Sequence, residues 1–376
     1  MYKRQTTTSV VSGITNDLPR LDYSGDASCP SLLLEPSRQN FELHSEYLNA
    51  ASVKDNVTIT SNATTSPEGV VNASSLVDNA TSGIHRFYSV PSTTAASGAT
   101  MTHSIFAKAN GHSWFQLSSG GQTNDQWANF DLTNGVIGNS SASANAKIQP
   151  MGNDWYRCII NSTTSASSAL VATLPTLTND TDVATRSPSY IGSGNGVFVY
   201  GLQCELGSYP TSLIPCYGTS ATRTADDCYR NPQALLGATT GSWFADIQDF
   251  RFQITGTTSP SVYIGYNTSN YLGLAARVAG NDSDLIFAKR ESGTTNNLYT
   301  EVAPSGATKF CFTWSGTSLK LFVNGSKVYD DNSFAGFITW DDFELNEGSR
   351  AANYRMNQTL LFPTQISDAD AIALTA

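Results

Sequence analysis

Carboxylates at strand spacing are the groups in this sequence that could attempt hydrolytic chemistry. In WDDFELNEG, Asp342 and Glu344 stand two apart and would share one strand face, with Glu347 following. Cutting a glycosidic bond needs two carboxyl groups across it, one of them held protonated. Here the acids run Asp-x-Glu-x-x-Glu late in the chain, and a solvated acidic strand edge is expected instead. The four histidines, His44, His85, His103 and His112, lie in no nucleophile or metal motif, and no Gly-x-Ser-x-Gly elbow occurs. No residue is assigned a catalytic role, and the chain is not expected to be an enzyme.

Binding offers more. A sugar site joins an aromatic face, which stacks on the ring, to amides and carboxylates that take the hydroxyls. TNDQWANFD sets Trp127 among Asn124, Asp125, Gln126 and Asn129, the most sugar-like neighbourhood in the chain. YIGYNTSNYLG offers Tyr266 and Tyr271 with Asn267 and Asn270. The competing reading makes these aromatics core or inter-subunit contacts, as expected for Trp155, Trp243 and Trp314 from their strand context. No cofactor is expected. Calcium, which needs several oxygen ligands, could sit at Asp226-Asp227, Asp330-Asp331 or Asp282/Asp284, although acidic turns are commoner than ion sites.

The elements that would position these residues are strands. Only 14% of the 376 residues are charged, while Gly, Ser, Thr and Asn abound. Ser and Thr suit the wet face of a strand, and Gly, Asn and Asp suit turns. In SWFQLSS, Trp114, Gln116 and Ser118 alternate with Phe115 and Leu117, the period-2 pattern of a half-buried strand. Many such runs between turn signals predict sandwiches. In LKLFVNGSKV, Asn324-Gly325 predicts a type I′ hairpin. QISDADAIALTA is the best helix, with Ser367 as N-cap and Asp368 and Asp370 at the positive dipole end.

The expected fold is all-β: two consecutive antiparallel β-sandwich (jelly-roll) domains, a short C-terminal helix and an extended N-terminal arm. The boundaries read as an arm over 1–40, a first sandwich over 41–227, a linker over 228–239 and a second sandwich over 240–376. Pro30 and Pro36 flank the apolar Leu32 to Leu34 and favour an extended edge segment. Six cysteines show no metal spacing. Cys158, Cys204 and Cys311 lie in apolar runs and read as buried thiols, with a bridge among Cys204, Cys216 and Cys228 as the alternative. A net charge of −10 without a Lys/Arg cluster argues against nucleic acid. No apolar run reaches bilayer length, and MYKRQTTTSVVSG lacks the apolar core of a secretory signal. Neither membrane insertion nor standard export is expected.

Four segments, LLLEPSRQN, NDWYRCIINS, GLQCELGSYPTSLIP and SATRTADD, resemble in order the carbohydrate-binding-module-like jelly rolls of bacteriophage tail and fibre proteins. KFCFTWSGTSLKLFVNGSKV and the closing LLFPTQISDADAIALTA are similar to laminin-G/concanavalin-like sandwiches. Catalytic members of such folds carry Glu-x-Asp-x-Glu, an order absent from WDDFELNEG. The resemblance implies a virion protein, made in the host cytoplasm and released by lysis. It implies a tail fibre or other appendage subunit that attaches to further virion proteins through its arm and contacts host surface glycans. Trimeric assembly also follows only from this resemblance. A decoration, cement or assembly protein is the alternative, and a polysaccharide depolymerase is the third.

Overall fold

The computed structural model describes residues 21–22, 30–50, 53–236, 239–251, 260–267, 269–275, 284–302, 306–334, 336, 340–346 and 352–376. They form antiparallel sheets, with one short α-helix at the C-terminus. The chain divides into two compact units. One is Arg38–Arg223; the other joins Thr224–Ala376 to the described part of Asn16–Ser37.

The first unit is a sandwich of two six-stranded sheets. One runs Val136–Ser140, Trp127–Asp131, Trp114–Gly121, Val171–Leu177, Arg86–Tyr88 and Val53–Asp55. The other runs Lys147–Gly152, Trp155–Thr163, Thr100–Asn110, Gly196–Leu206, Val71–Asp78 and Val57–Thr65. Period-2 alternation sends Phe115, Leu117, Ala128 and Phe130 of the first sheet inward to meet Ile105, Ala107, Ile160 and Val199 of the second. Trp155 is core, as its strand context predicts.

The second unit pairs a seven-stranded sheet with a six-stranded one. The larger runs Leu21–Asp22, Ser31–Leu34, Asn353–Phe362, Thr240–Arg251, Thr308–Ser315, Ser318–Val323 and Ser326–Asp331. The smaller runs Cys228–Arg230, Asp342–Asn346, Pro260–Asn267, Asn270–Ala275, Leu285–Glu291 and Thr294–Glu301. Trp243 and Trp314 fill its core. Asn324 and Gly325 both take positive φ, 47° and 77°, as a type I′ turn requires. Ser367 caps the helix Asp368–Thr375 by accepting from the Asp370 N–H at 3.1 Å.

Two boundaries differ from the sequence expectation. The segment assigned to an arm over 1–40 contributes Ser31–Leu34 to the second sandwich, with Leu32 opposite Met356 and Leu34 opposite Tyr354. Leu34 enters the core there, and pairing satisfies backbone groups that a free arm would leave to water. The supposed linker over 228–239 begins with a strand, Cys228–Arg230, that pairs with Asp342–Asn346. Among the described residues, Ser31–Leu34 thus belongs to the second sandwich, the chain then builds the first, and it returns to the second at Thr224. Residues 1–20 of the expected arm lie outside the described residues.

Candidate functional site

Entry and exit of the first sandwich explain the sequence segments that single it out. Arg38–Asn40 pairs with Ala221–Arg223, and the Asp226 N–H donates to the Glu35 carbonyl at 2.9 Å while Asp226 Oδ2 accepts from the Glu35 N–H at 2.7 Å. Asn40 donates to the carbonyls of Leu202 and Ile214 and accepts from the N–H groups of Glu42 and Cys204. In GLQCELGSYPTSLIP, buried Glu205 accepts from the Thr211 N–H (2.9 Å), the Thr211 hydroxyl (2.5 Å) and Gln203 Nε2 (2.6 Å). Gln203 Oε1 accepts from the Ile214 N–H at 2.7 Å. These polar residues hold a loop; their hydrogen bonds are used internally.

The surface around Trp127 lies on the outer face of the sheet that holds Trp114–Gly121. With Phe115 and Leu117 inward, Trp114, Gln116, Ser118 and Gly120 face outward, and Gln116 stands opposite Asn129 and Ser118 opposite Trp127. Residues 179–187 cross this face. Asn129 Nδ2 donates to Asp182 Oδ1 (2.7 Å) and the Val183 carbonyl (2.6 Å). Gln116 Nε2 donates to Asn129 Oδ1 (2.8 Å) and the Thr185 carbonyl (3.0 Å), while its Oε1 accepts from the Ser187 N–H. A Cβ on Gly138 would stand 2.3 Å from Asp182 Oδ1, so glycine there lets the crossing segment sit down.

Gln126 and Asn129 are thereby removed from ligand duty. Asn129 is fully buried, and Gln126 donates to the Asn124 carbonyl and accepts from Ser141. What faces solvent is a rim. Trp127 is half-buried, and Asn124 and Asp125 are exposed, Asp125 at φ 51°. Arg186 reaches the rim from the crossing segment, donating through Nη2 to the Ser119 carbonyl (2.5 Å) and to Asp125 Oδ1 (3.3 Å). Arg186 and Asp182 carry no local sequence signal; they arrive from more than fifty residues away, and only Gly120 and Gly138 mark where they land.

The second neighbourhood corrects the sequence reading. Tyr271 is fully buried, its ring 5.7 Å from Tyr263, so it offers no stacking face. Tyr263 stands opposite Gly273 and Tyr271 opposite Gly265, and a Cβ on either glycine would meet the backbone of the paired strand, at 2.3 Å and 2.2 Å. Asn267 accepts from the Ser269 N–H (2.8 Å) and from Asn270 Nδ2 (3.4 Å), and so shapes the turn. The Tyr266 side chain and Glu347 lie outside the described residues.

Asp342 and Glu344 do share a strand face, opposite Gly265 and Tyr263. Burial and the neighbouring Asp341 raise the Asp342 carboxyl, while Glu344 is largely buried. Of the calcium candidates, Asp226 binds Glu35, Asp330 binds Lys327 and Asp331 binds Ser333, Tyr329 and Lys289. Asp284 is buried, and Asp282 lies outside the described residues. Among the described residues no three His, Cys, Asp or Glu side chains cluster as a metal site. Cys158, Cys204, Cys216 and Cys311 are buried free thiols and Cys228 is a half-buried one. Burial pushes the Cys311 thiol up to about 12.

No family model matches the chain, and no curated protein sequence matches it. Among solved structures it is similar to domain 4 of AbnA, a GH43 extracellular arabinanase from Geobacillus stearothermophilus, in complex with arabinotriose. That likeness has 13% identity and a TM-score of 0.31, covering 42% of this chain and 73% of the other. It is also similar to the GH43 BlXynB protein from Bacillus licheniformis, at 10% identity and a TM-score of 0.24, covering 74% of this chain and 63% of the other. The class of the protein rests on its own sheets: an all-β chain of antiparallel sandwich units closed by one short helix.

Proposed function

We propose that the chain is a non-enzymatic structural protein of a bacteriophage virion, a fibre or appendage subunit that contacts host surface glycans. The virion setting is supported by the four ordered segments that enter, build and leave the first sandwich. The contact is supported by one observation above the others: Trp127 stays half-exposed beside exposed Asn124 and Asp125, with Arg186 fixed against Asp125. A rigid aromatic face next to oriented amide, carboxylate and guanidinium groups is the chemistry that holds a sugar ring. The N-terminal segment would join other virion proteins, and subunits would assemble as trimers.

One observation favours the decoration reading. Residues 179–187 occupy the outer face with the chain's own polar groups, which leaves only a rim for a ligand. A glycan array probed with the full chain separates the two. Glycan binding that is lost in Trp127→Ala, with folding intact, supports the appendage reading. Silence across the array supports decoration and removes the glycan contact.

A further inference from the structure

Lys289 is a buried cation in the second sandwich. Its strand, Leu285–Glu291, sends Leu285 and Phe287 into the core, and Lys289 on the same face is only 7% exposed. Burying an ammonium costs several kcal/mol unless partners compensate. Here Nζ lies 3.0 Å from Asp331 Oδ2 and 3.3 Å from Glu291 Oε2, and 5.7 Å from the Phe334 ring centroid. Lys289 belongs to the six-stranded sheet and Asp331 ends the last strand of the seven-stranded one. The contact therefore bridges the two sheets.

The Asp331 carboxyl is held asymmetrically. Oδ1 accepts from the Ser333 N–H (2.8 Å) and the Ser333 hydroxyl (2.6 Å), two donors on one oxygen. Oδ2 faces the Lys289 amine and accepts from the Tyr329 hydroxyl at 3.1 Å. Paired donors on one oxygen are what stabilise negative charge when a carboxyl carbon is attacked. Glu291, on the other side of the amine, is within reach of its protons. Nucleophile, carboxyl and base stand together, the amine buried and the Asp331 and Glu291 side chains 19% and 26% exposed.

We propose that Lys289 and Asp331 condense into an intramolecular amide that cross-links the two sheets, with Glu291 carrying protons. Nζ gives a proton to Glu291 and attacks Cγ, forming the C–N bond while Ser333 holds the charge on Oδ1. The Cγ–Oδ2 bond then breaks. Oδ2 departs as water with the two protons that Nζ has lost, passed through Glu291, and the Tyr329 phenol assists and ends unchanged. An ammonium and a carboxylate become one amide and one water, with no oxidant or other reactant.

Hydrogen bonds from Ser333 and Lys289 keep Asp331 well below the usual carboxylate range. Burial pulls the Lys289 amine down, but Asp331 and Glu291 outweigh it and leave it raised. The resting pair is thus ionised, and the reaction draws on its minor neutral form. It is slow and happens once per molecule, driven by fixed proximity. The inference is independent of any glycan contact.

The test is the mass of the denatured full chain after prolonged incubation in the folded state at neutral pH. The expected mass is one water below that of the sequence, with proteolysis returning a branched peptide joining residues 289 and 331. Glu291→Gln, which keeps both reacting groups, is expected to remain at its full sequence mass. A wild-type chain at full sequence mass overturns the proposal. So does water loss mapped to other residues, and so does cross-linking at the wild-type rate in Glu291→Gln.

Discussion

Replacing Glu42 by Gln should change how the first sandwich responds to pH, and the structure sets both sign and size. Glu42 is fully buried, and its Oε2 accepts from the Ser89 hydroxyl at 2.6 Å. Burial raises its carboxyl from 4.5 to about 7, with the hydroxyls of Ser89 and Thr173 pulling the other way. A folded-state value above the unfolded one means stability that is complete below pH 4.5 and lost as pH climbs to 7. At about 1.4 kcal/mol per pH unit, that span costs the folded unit about 3 kcal/mol. Gln at this position is neutral at every pH and can still accept from Ser89. The variant should match wild type near pH 4 and exceed it by about 3 kcal/mol at pH 8.

His103 sharpens the expectation. It lies between the sheets, Nδ1 2.9 Å from Thr173 Oγ1 and Nε2 2.8 Å from Ser162 Oγ, and burial lowers it from 6.5 to about 4. Its contribution has the opposite sign, present above pH 6.5 and lost as pH falls to 4. In wild type the two slopes nearly cancel between pH 4.5 and 6.5. In Glu42→Gln only the His103 slope remains, so stability should climb with pH across that window. Urea unfolding followed by tryptophan fluorescence at pH 4, 6 and 8 measures both curves. A variant whose advantage does not grow with pH, or which is weaker than wild type at pH 8, refutes the buried-neutral assignment of Glu42.

Two further substitutions probe the loops of the same sandwich. Thr211→Val removes the hydroxyl that donates to buried Glu205, and should cost about 1.5–3 kcal/mol in urea unfolding; a neutral result would mean that Glu205 does not depend on that bond. Gly138→Ala sets a methyl group against Asp182 and the Trp114 ring, and should loosen residues 179–187. Limited proteolysis should then cut within that segment many-fold faster than in wild type, and an unchanged rate would show that the segment is not seated by Gly138.

Local chemistry in the sequence was legible where one residue decides the outcome. Asn324-Gly325 makes its hairpin because both residues take positive φ, and Ser367 caps the helix because its hydroxyl replaces a missing backbone partner. The alternation of Trp114 to Ser118 set the inner and outer faces correctly. Pairings across long separations left no such mark. Leu32 to Leu34 read as apolar and extended, but nothing nearby named Asn353–Phe362 as the strand they join. Of the site at Trp127, the residues on the strand and its preceding turn were readable, whereas Arg186 and Asp182 fold in from elsewhere. Tyr271 misled because exposure was inferred from polar neighbours, while its ring packs beside Tyr263 and is fully buried.

The proposal that this chain is an outward-facing virion subunit meets its most direct test on intact particles. Purified particles of the virus that encodes it would be labelled with antibody against the first sandwich and imaged. The account predicts label on an external appendage, with soluble first-sandwich protein competing with particles for the host surface. Particles that lack the chain, or that hold it only inside the capsid, would contradict it.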